Sequence, residues 1–150
     1  MASINPYLTF TGNCEEAFNF YKSVFGGEFP FLGRFKDMPP MKDENGNDCG
    51  PVSDEDANKI MHVSLPIGNT YLMGSDTSES WGPPTIQGNN FSVSVNADGR
   101  DDADRIFNGL SAGGRVTMPM QNMFWGAYFG MFTDKFGIQW MVNFDENPMK

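Results

Sequence analysis

Apolar residues recur at helical spacing in two stretches of the chain and alternate with polar ones in several others. Ala17, Phe20, Tyr21 and Val24 share one helical face. Ala103, Ile106, Phe107 and Leu110 share another at the same offsets, 86 positions on. Start and stop signals bracket both runs. Asn13 with Glu16, and Asp98 with Asp101, set side-chain acceptors and carboxylates at the helix starts. Gly26-Gly27 and Gly113-Gly114 end the helices, because glycine enters the left-handed conformation cheaply.

Period-two alternation over residues 4–10 and 91–95 predicts a strand before each helix. Three more follow the first helix, over 28–35, 59–67 and 70–74, the last two joined by Gly68-Asn69. Three follow the second, over 115–124, 127–133 and 138–144, with Asp134-Lys135-Phe136-Gly137 as the final turn. The order β-α-β-β-β thus occurs twice. The expected class is α+β: two βαβββ modules forming cupped mixed β-sheets with helices outside, in a single domain over 1–150. The first repeat spans about 4–77 and the second about 88–145, and the interior of the cup is the natural site. Residues 37–58 carry seven carboxylates against one lysine and no apolar period, so they read as a loop, either a lid or a disordered tract. Residues 75–88, with Trp81, link the repeats.

Composition narrows the partners. At 150 residues the chain can bury a core without staples. Its net charge of −9 lacks the cationic surface that nucleic acids and anionic lipids attract, so neither nucleic acid nor membrane is an expected partner. A cationic small ligand would be favoured electrostatically. No apolar run approaches the ~20 residues of a membrane span, and residues 1–7 show no leader pattern, which makes a cytoplasmic location the expectation. Only Cys14 and Cys49 are present, with one histidine, which excludes zinc-finger and thioredoxin-type sites. Gly-x-Ser-x-Gly is absent, so triad hydrolysis has no basis.

Several phrases resemble a known family: Ile4-Asn5-Pro6-Tyr7-Leu8, Glu16-Ala17, Phe20-Tyr21 and Phe25-Gly26-Gly27 in the first half. Ile60-Met61-His62 and Leu72-Met73-Gly74-Ser75-Asp76 continue the likeness. So do Gly113-Gly114-Arg115-Val116, Phe124-Trp125-Gly126 and the run from Asp134-Lys135-Phe136-Gly137 through Ile138-Gln139-Trp140. Their order and spacing are similar to the PhnB-like branch of the vicinal oxygen chelate superfamily, which includes glyoxalases, bleomycin-resistance proteins and extradiol dioxygenases. The resemblance implies paired βαβββ modules and a homodimer.

Enzymes of that superfamily hold a divalent metal with inward residues on the first and last strands of each module. Near those positions this chain has Asn5 or Tyr7, Asn90 or Ser92, Met73 or Ser75, and Trp140 or Met141. None is an imidazole, carboxylate or thiolate, the groups such ions want. The expectation is therefore no cofactor, with a divalent metal as the alternative. His62 and Asp76 are the residues around which a relocated metal site could form. His62 also fits a structural or ligand-contacting role. Aromatics concentrate in 124–140, where Trp125, Tyr128 and Trp140 fit either core packing or pocket lining. On the strand over 127–133, Tyr128 and Phe132 face one way, Phe129 and Met131 the other. Met73 belongs to a set of methionines whose soft side chains would line a site tolerant of varied ligands or fill a core.

The candidate ligand-binding residues are thus His62, Met73, Asp76, Trp125, Tyr128 and Trp140, with no catalytic residue assigned. The expected function is metal-independent binding of a small molecule, cationic or aromatic. The alternative is a divergent metal-dependent lyase, isomerase or dioxygenase, which leaves enzymatic activity open.

Overall fold

Each alternating segment becomes a strand and each periodic segment a helix. The computed structural model describes residues 2–37, 44–46, 53–78 and 83–146. The first half runs β1 (Tyr7–Phe10), α1 (Cys14–Phe25), β2 (Phe31–Arg34), α2 (Asp54–Ala57), β3 (Ile60–Ile67) and β4 (Thr70–Asp76). The second runs β5 (Val93–Asn96), α3 (Arg100–Ser111), β6 (Arg115–Asn122), β7 (Ala127–Thr133) and β8 (Gln139–Asp145). The chain divides into two compact units, Met1–Lys22 with Gly26–Thr85, and Ser23–Phe25 with Ile86–Lys150.

In the first unit the strands lie in the order β1-β4-β3-β2, with β1 parallel to β4 and the other pairs antiparallel. α1 covers one face. Its buried stripe within this unit is Cys14, Ala17, Phe18 and Tyr21. The stripe begins at Cys14 and therefore takes in Phe18, leaving Phe20 only half-buried where the spacing had placed it on the core face. Phe18 packs edge-on against Phe10, ring centroids 6.2 Å apart, and lies over Gly74, where an added Cβ would come within 2.6 Å of its ring. A glycine at 74 thus lets helix and sheet approach. The helix ends at Gly26 and Gly27, with φ of 79° and 85°.

The helix start departs from the expected cap. Asn13 makes no side-chain capping bond. The Asp76 carboxylate takes that role from β4, accepting the backbone N–H of Cys14 at 3.0 Å and of Gly12 at 2.8 Å. Its second oxygen accepts the N–H of Ile60 at 2.8 Å.

The second unit repeats the plan in the order β5-β8-β7-β6, with β5 parallel to β8. The face of α3 is the expected one, Ala103, Ile106, Phe107 and Leu110, all buried. Phe107 meets Phe132 edge-on at 5.1 Å. α3 starts one residue later than the Asp98 signal, at a Gly99 cap, and Asp102 accepts the Asp98 N–H at 3.1 Å. Neither sheet closes into a barrel: both are four-stranded and mixed, with a helix on one face, as a βαβββ repeat requires.

Residues 37–58 are not wholly irregular, since Ser53 caps the short α2 by accepting the Asp56 N–H. The lid or disordered tract read from that stretch, and Trp81, fall mostly on or among residues outside those described. Among the described residues no helix is long and apolar enough to cross a membrane.

Candidate functional site on the open face of the first sheet

Strand register sorts the side chains. Met73 pairs with Tyr7 on one side and Ser64 on the other, and Ser64 pairs with Phe31. Directly paired residues share a face, so Tyr7, Met73, Ser64 and Phe31 form one row on the side away from α1. His62 pairs with Gly33 two residues further along and shares that face, as do Thr9 and Ser75.

Three rings gather there. The His62 and Tyr7 centroids are 5.7 Å apart at 33°, and those of His62 and Phe31 are 5.7 Å apart at 47°. The Tyr7 hydroxyl lies 3.3 Å from His62 Nδ1. Tyr7 and Phe31 are 49% and 48% exposed, so the imidazole sits between two half-open aromatic walls. Gly33 makes that arrangement possible. A Cβ at 33 would lie 3.0 Å from the Phe31 ring and 3.3 Å from the Met61 methyl, so the missing side chain leaves the space that the ring occupies.

The residues singled out from sequence part company. His62 and Met73 lie on this face. Asp76 does not: Val63 pairs with Gly74, which turns His62 and Asp76 to opposite sides of the sheet. Both Asp76 oxygens are engaged by backbone N–H groups beneath α1. Tyr128 and Trp140 belong to the helix side of the second sheet. The Tyr128 hydroxyl donates to Asp104 at 2.6 Å, which raises the phenol's pKa above its ordinary value. The Arg100 guanidinium stacks 4.1 Å from the Tyr128 ring. Trp140 is buried, its indole N–H donating to Asp134 at 2.9 Å. Trp125 stands in the β6–β7 turn, 46% exposed and edge-on to Phe124. Phe31 and Gly33 were not anticipated, although the period of two in β2 would have paired them on one face. Tyr7, expected on the first strand and unsuited to hold a metal, had not been named as a ligand contact.

A resident divalent metal does not fit these side chains. The face of the first sheet away from α1 offers a phenol, hydroxyls, a thioether and one imidazole. Among the described residues no group of three or more His, Cys, Asp or Glu converges. Such a donor set suits neither zinc nor the harder divalent ions.

Comparison with known proteins agrees with this architecture. Residues 3–142 match the model of the Glyoxalase/Bleomycin resistance protein/Dioxygenase superfamily, and the chain belongs to that superfamily. Protein YjdN of Escherichia coli strain K12 is 31% identical over 140 residues, covering 93% of each chain. The crystal structure of protein PA1353 from Pseudomonas aeruginosa superposes with a TM-score of 0.80 at 41% identity, covering 97% of this chain and 98% of that one. The PhnB protein of Bacillus cereus follows with a TM-score of 0.71 at 23% identity, covering 95% and 99%, a likeness of fold. The paired βαβββ arrangement expected from the sequence is thus the superfamily's own fold.

Proposed function

We propose that the protein binds a small aromatic organic molecule on the open face of the first sheet, without a metal. The observation that supports this reading is the aromatic group itself. Tyr7, His62 and Phe31 are held at 5.7 Å spacings on a half-exposed face, where burying them in a monomeric core would have been the ordinary outcome. The half-exposed sides of Tyr7 and Phe31 leave ring surface on which a planar guest can stack. Met73 beside them adds an adaptable apolar surface, and Ser75 and Thr9 add polar groups. Among aromatic and cationic ligands the face favours the aromatic, since none of the side chains named on it is a carboxylate. The overall charge of −9 alone speaks for a cation.

The reading extends to a homodimer in the cytoplasm. Among the described residues each sheet has two strands with a neighbouring strand on one side only, β1 and β2 in the first and β5 and β6 in the second, which a second copy could cover, and sedimentation measures it.

The test is a nuclear magnetic resonance titration of untagged, chelator-treated protein with small aromatic compounds. Saturable shifts at Tyr7, Phe31 and His62 that manganese, zinc and nickel leave unchanged are expected. Shifts that develop only after a divalent ion is added would replace this function with a metal-dependent one.

A further inference from the structure

His62 is the single histidine of the chain, and one of its two ring nitrogens is already engaged. A neutral imidazole has one nitrogen that donates and one that accepts, and the partner of either nitrogen decides which is which. Here the partner of Nδ1 is a phenol. A phenol hydroxyl is the better donor of the two and an unprotonated imidazole nitrogen the better acceptor. The proton in the 3.3 Å contact therefore comes from Tyr7, and Nδ1 accepts it. The ring proton is left on Nε2, which has no partner among the described residues.

We infer that Tyr7 is a positioning residue which holds His62 as the Nε2–H tautomer, so that the face presents a hydrogen-bond donor between two aromatic walls. The ligand class follows: a planar unsaturated molecule bearing a hydrogen-bond acceptor, such as a ring carbonyl or carboxylate, at its edge. This rests on the binding function proposed above and adds the polarity of the contact. A guest without an acceptor would bury the Nε2–H unsatisfied, and one offering only a donor would set two protons against each other.

Two features make the device depend on fold rather than on chance rotamers. Tyr7 and His62 come from β1 and β3, on opposite sides of the central β4, so β4 spaces them. Phe31 closes the other side of the imidazole over Gly33, whose missing side chain leaves the ring its room.

The tautomer is measured directly by long-range proton–nitrogen correlation on 15N-labelled, untagged protein at about pH 8, where imidazole is ordinarily neutral. A single histidine gives a single pair of ring nitrogens. Acetophenone, toluene and benzylammonium serve as probes: one aromatic ring with an acceptor, with neither group, and with a donor only. In the wild type Nε2 should carry the proton and Nδ1 should not, and Tyr7→Phe should mix the two tautomers. Acetophenone should bind about tenfold tighter than toluene or benzylammonium, and Tyr7→Phe should narrow that ratio.

A proton on Nδ1 in the wild type, or a tautomer unchanged by Tyr7→Phe, would overturn the inference even if acetophenone bound, and the binding function would stand. Benzylammonium binding tightest would overturn the acceptor class. Should none of the three probes move the His62, Tyr7 or Phe31 signals, the binding function and the ligand class fall together, whatever the tautomer.

Discussion

The Asp76 carboxylate at the end of β4 accepts the backbone N–H of Cys14 at the start of α1, 3.0 Å away and 62 residues apart in sequence. The same carboxylate holds Gly12 and Ile60, so one side chain ties β4, the β1–α1 turn and the start of β3 together. Asp76 is 4% exposed, and removing it would leave buried backbone donors unpaired. Each such donor costs about 1–3 kcal/mol. Asp76→Ala should lower stability by about 3–4 kcal/mol, and Asp76→Asn, which keeps one acceptor, by about half as much. Urea unfolding checks both, and an Asp76→Ala protein of unchanged midpoint would remove the tie.

Cys14 is fully buried beside that carboxylate. Burial foremost, and then the negative charges of Asp76 and Glu15, push its thiol pKa far above the ordinary range. Thiolate is the reactive form, so Cys14 should be inert in the folded protein. In a Cys49→Ser variant, iodoacetamide should leave Cys14 unmodified under native conditions and label it once urea unfolds the chain. Labelling at the rate of a free thiol without urea would contradict the burial.

Glu15 and Arg34 make a two-pronged contact, with N–O distances of 3.0 and 2.6 Å, and the hydrogen bonds from Arg34 hold the Glu15 carboxyl below its ordinary pKa. A depressed carboxylate contributes stability above its unfolded value and loses it as pH falls through the lower, folded one. The contribution should therefore be present at neutral pH and fade below about pH 4. Because the pair is partly exposed, Arg34→Met should cost only about 0.5–1 kcal/mol at pH 7. A double-mutant cycle with Glu15→Gln should show a coupling that vanishes in acid. Coupling that persisted in acid would mean that packing, not charge, joins the two.

How legible these features were in sequence depends on which physical rule decides them. The helix faces, the β3–β4 turn and β7 follow from local periodicity, and α3 buries the residues its spacing names. Phe18 rather than Phe20 reached the core because the stripe opens at Cys14, a buried residue whose backbone N–H is held by Asp76 far along the chain. The aromatics of β7 were sorted correctly into two sets, yet both sets are apolar. Hydrophobicity therefore could not say that Tyr128 and Phe132 belong to the helix side. His62 and Asp76 were separable in principle. The tight turn pairs Ile67 with Thr70, and counting back along both strands puts His62 level with Ser75, one position away from Asp76. Tyr7 and Phe31 come to His62 only through sheet pairing, a relation that periodicity within one strand does not carry.

Gly33 supplies a test of the face that leaves the fold alone. Its backbone is not among the positive-φ positions, so alanine there meets no conformational strain and only the question of space remains. The atoms a Cβ would meet, at 3.0 and 3.3 Å, are the far edge of the Phe31 ring and the Met61 methyl, both able to move. Gly33→Ala should therefore cost under about 1 kcal/mol of stability. The Phe31 ring, however, should be pushed off His62. Its ring-current effect on the imidazole protons should shrink, and affinity for acetophenone should fall about three- to tenfold. In a Phe31→Leu background the same glycine substitution should change affinity little, because the displaced ring is already gone. An equal loss in both backgrounds would mean that Gly33 acts through the backbone, and that the Phe31 ring is not the wall it is taken to be.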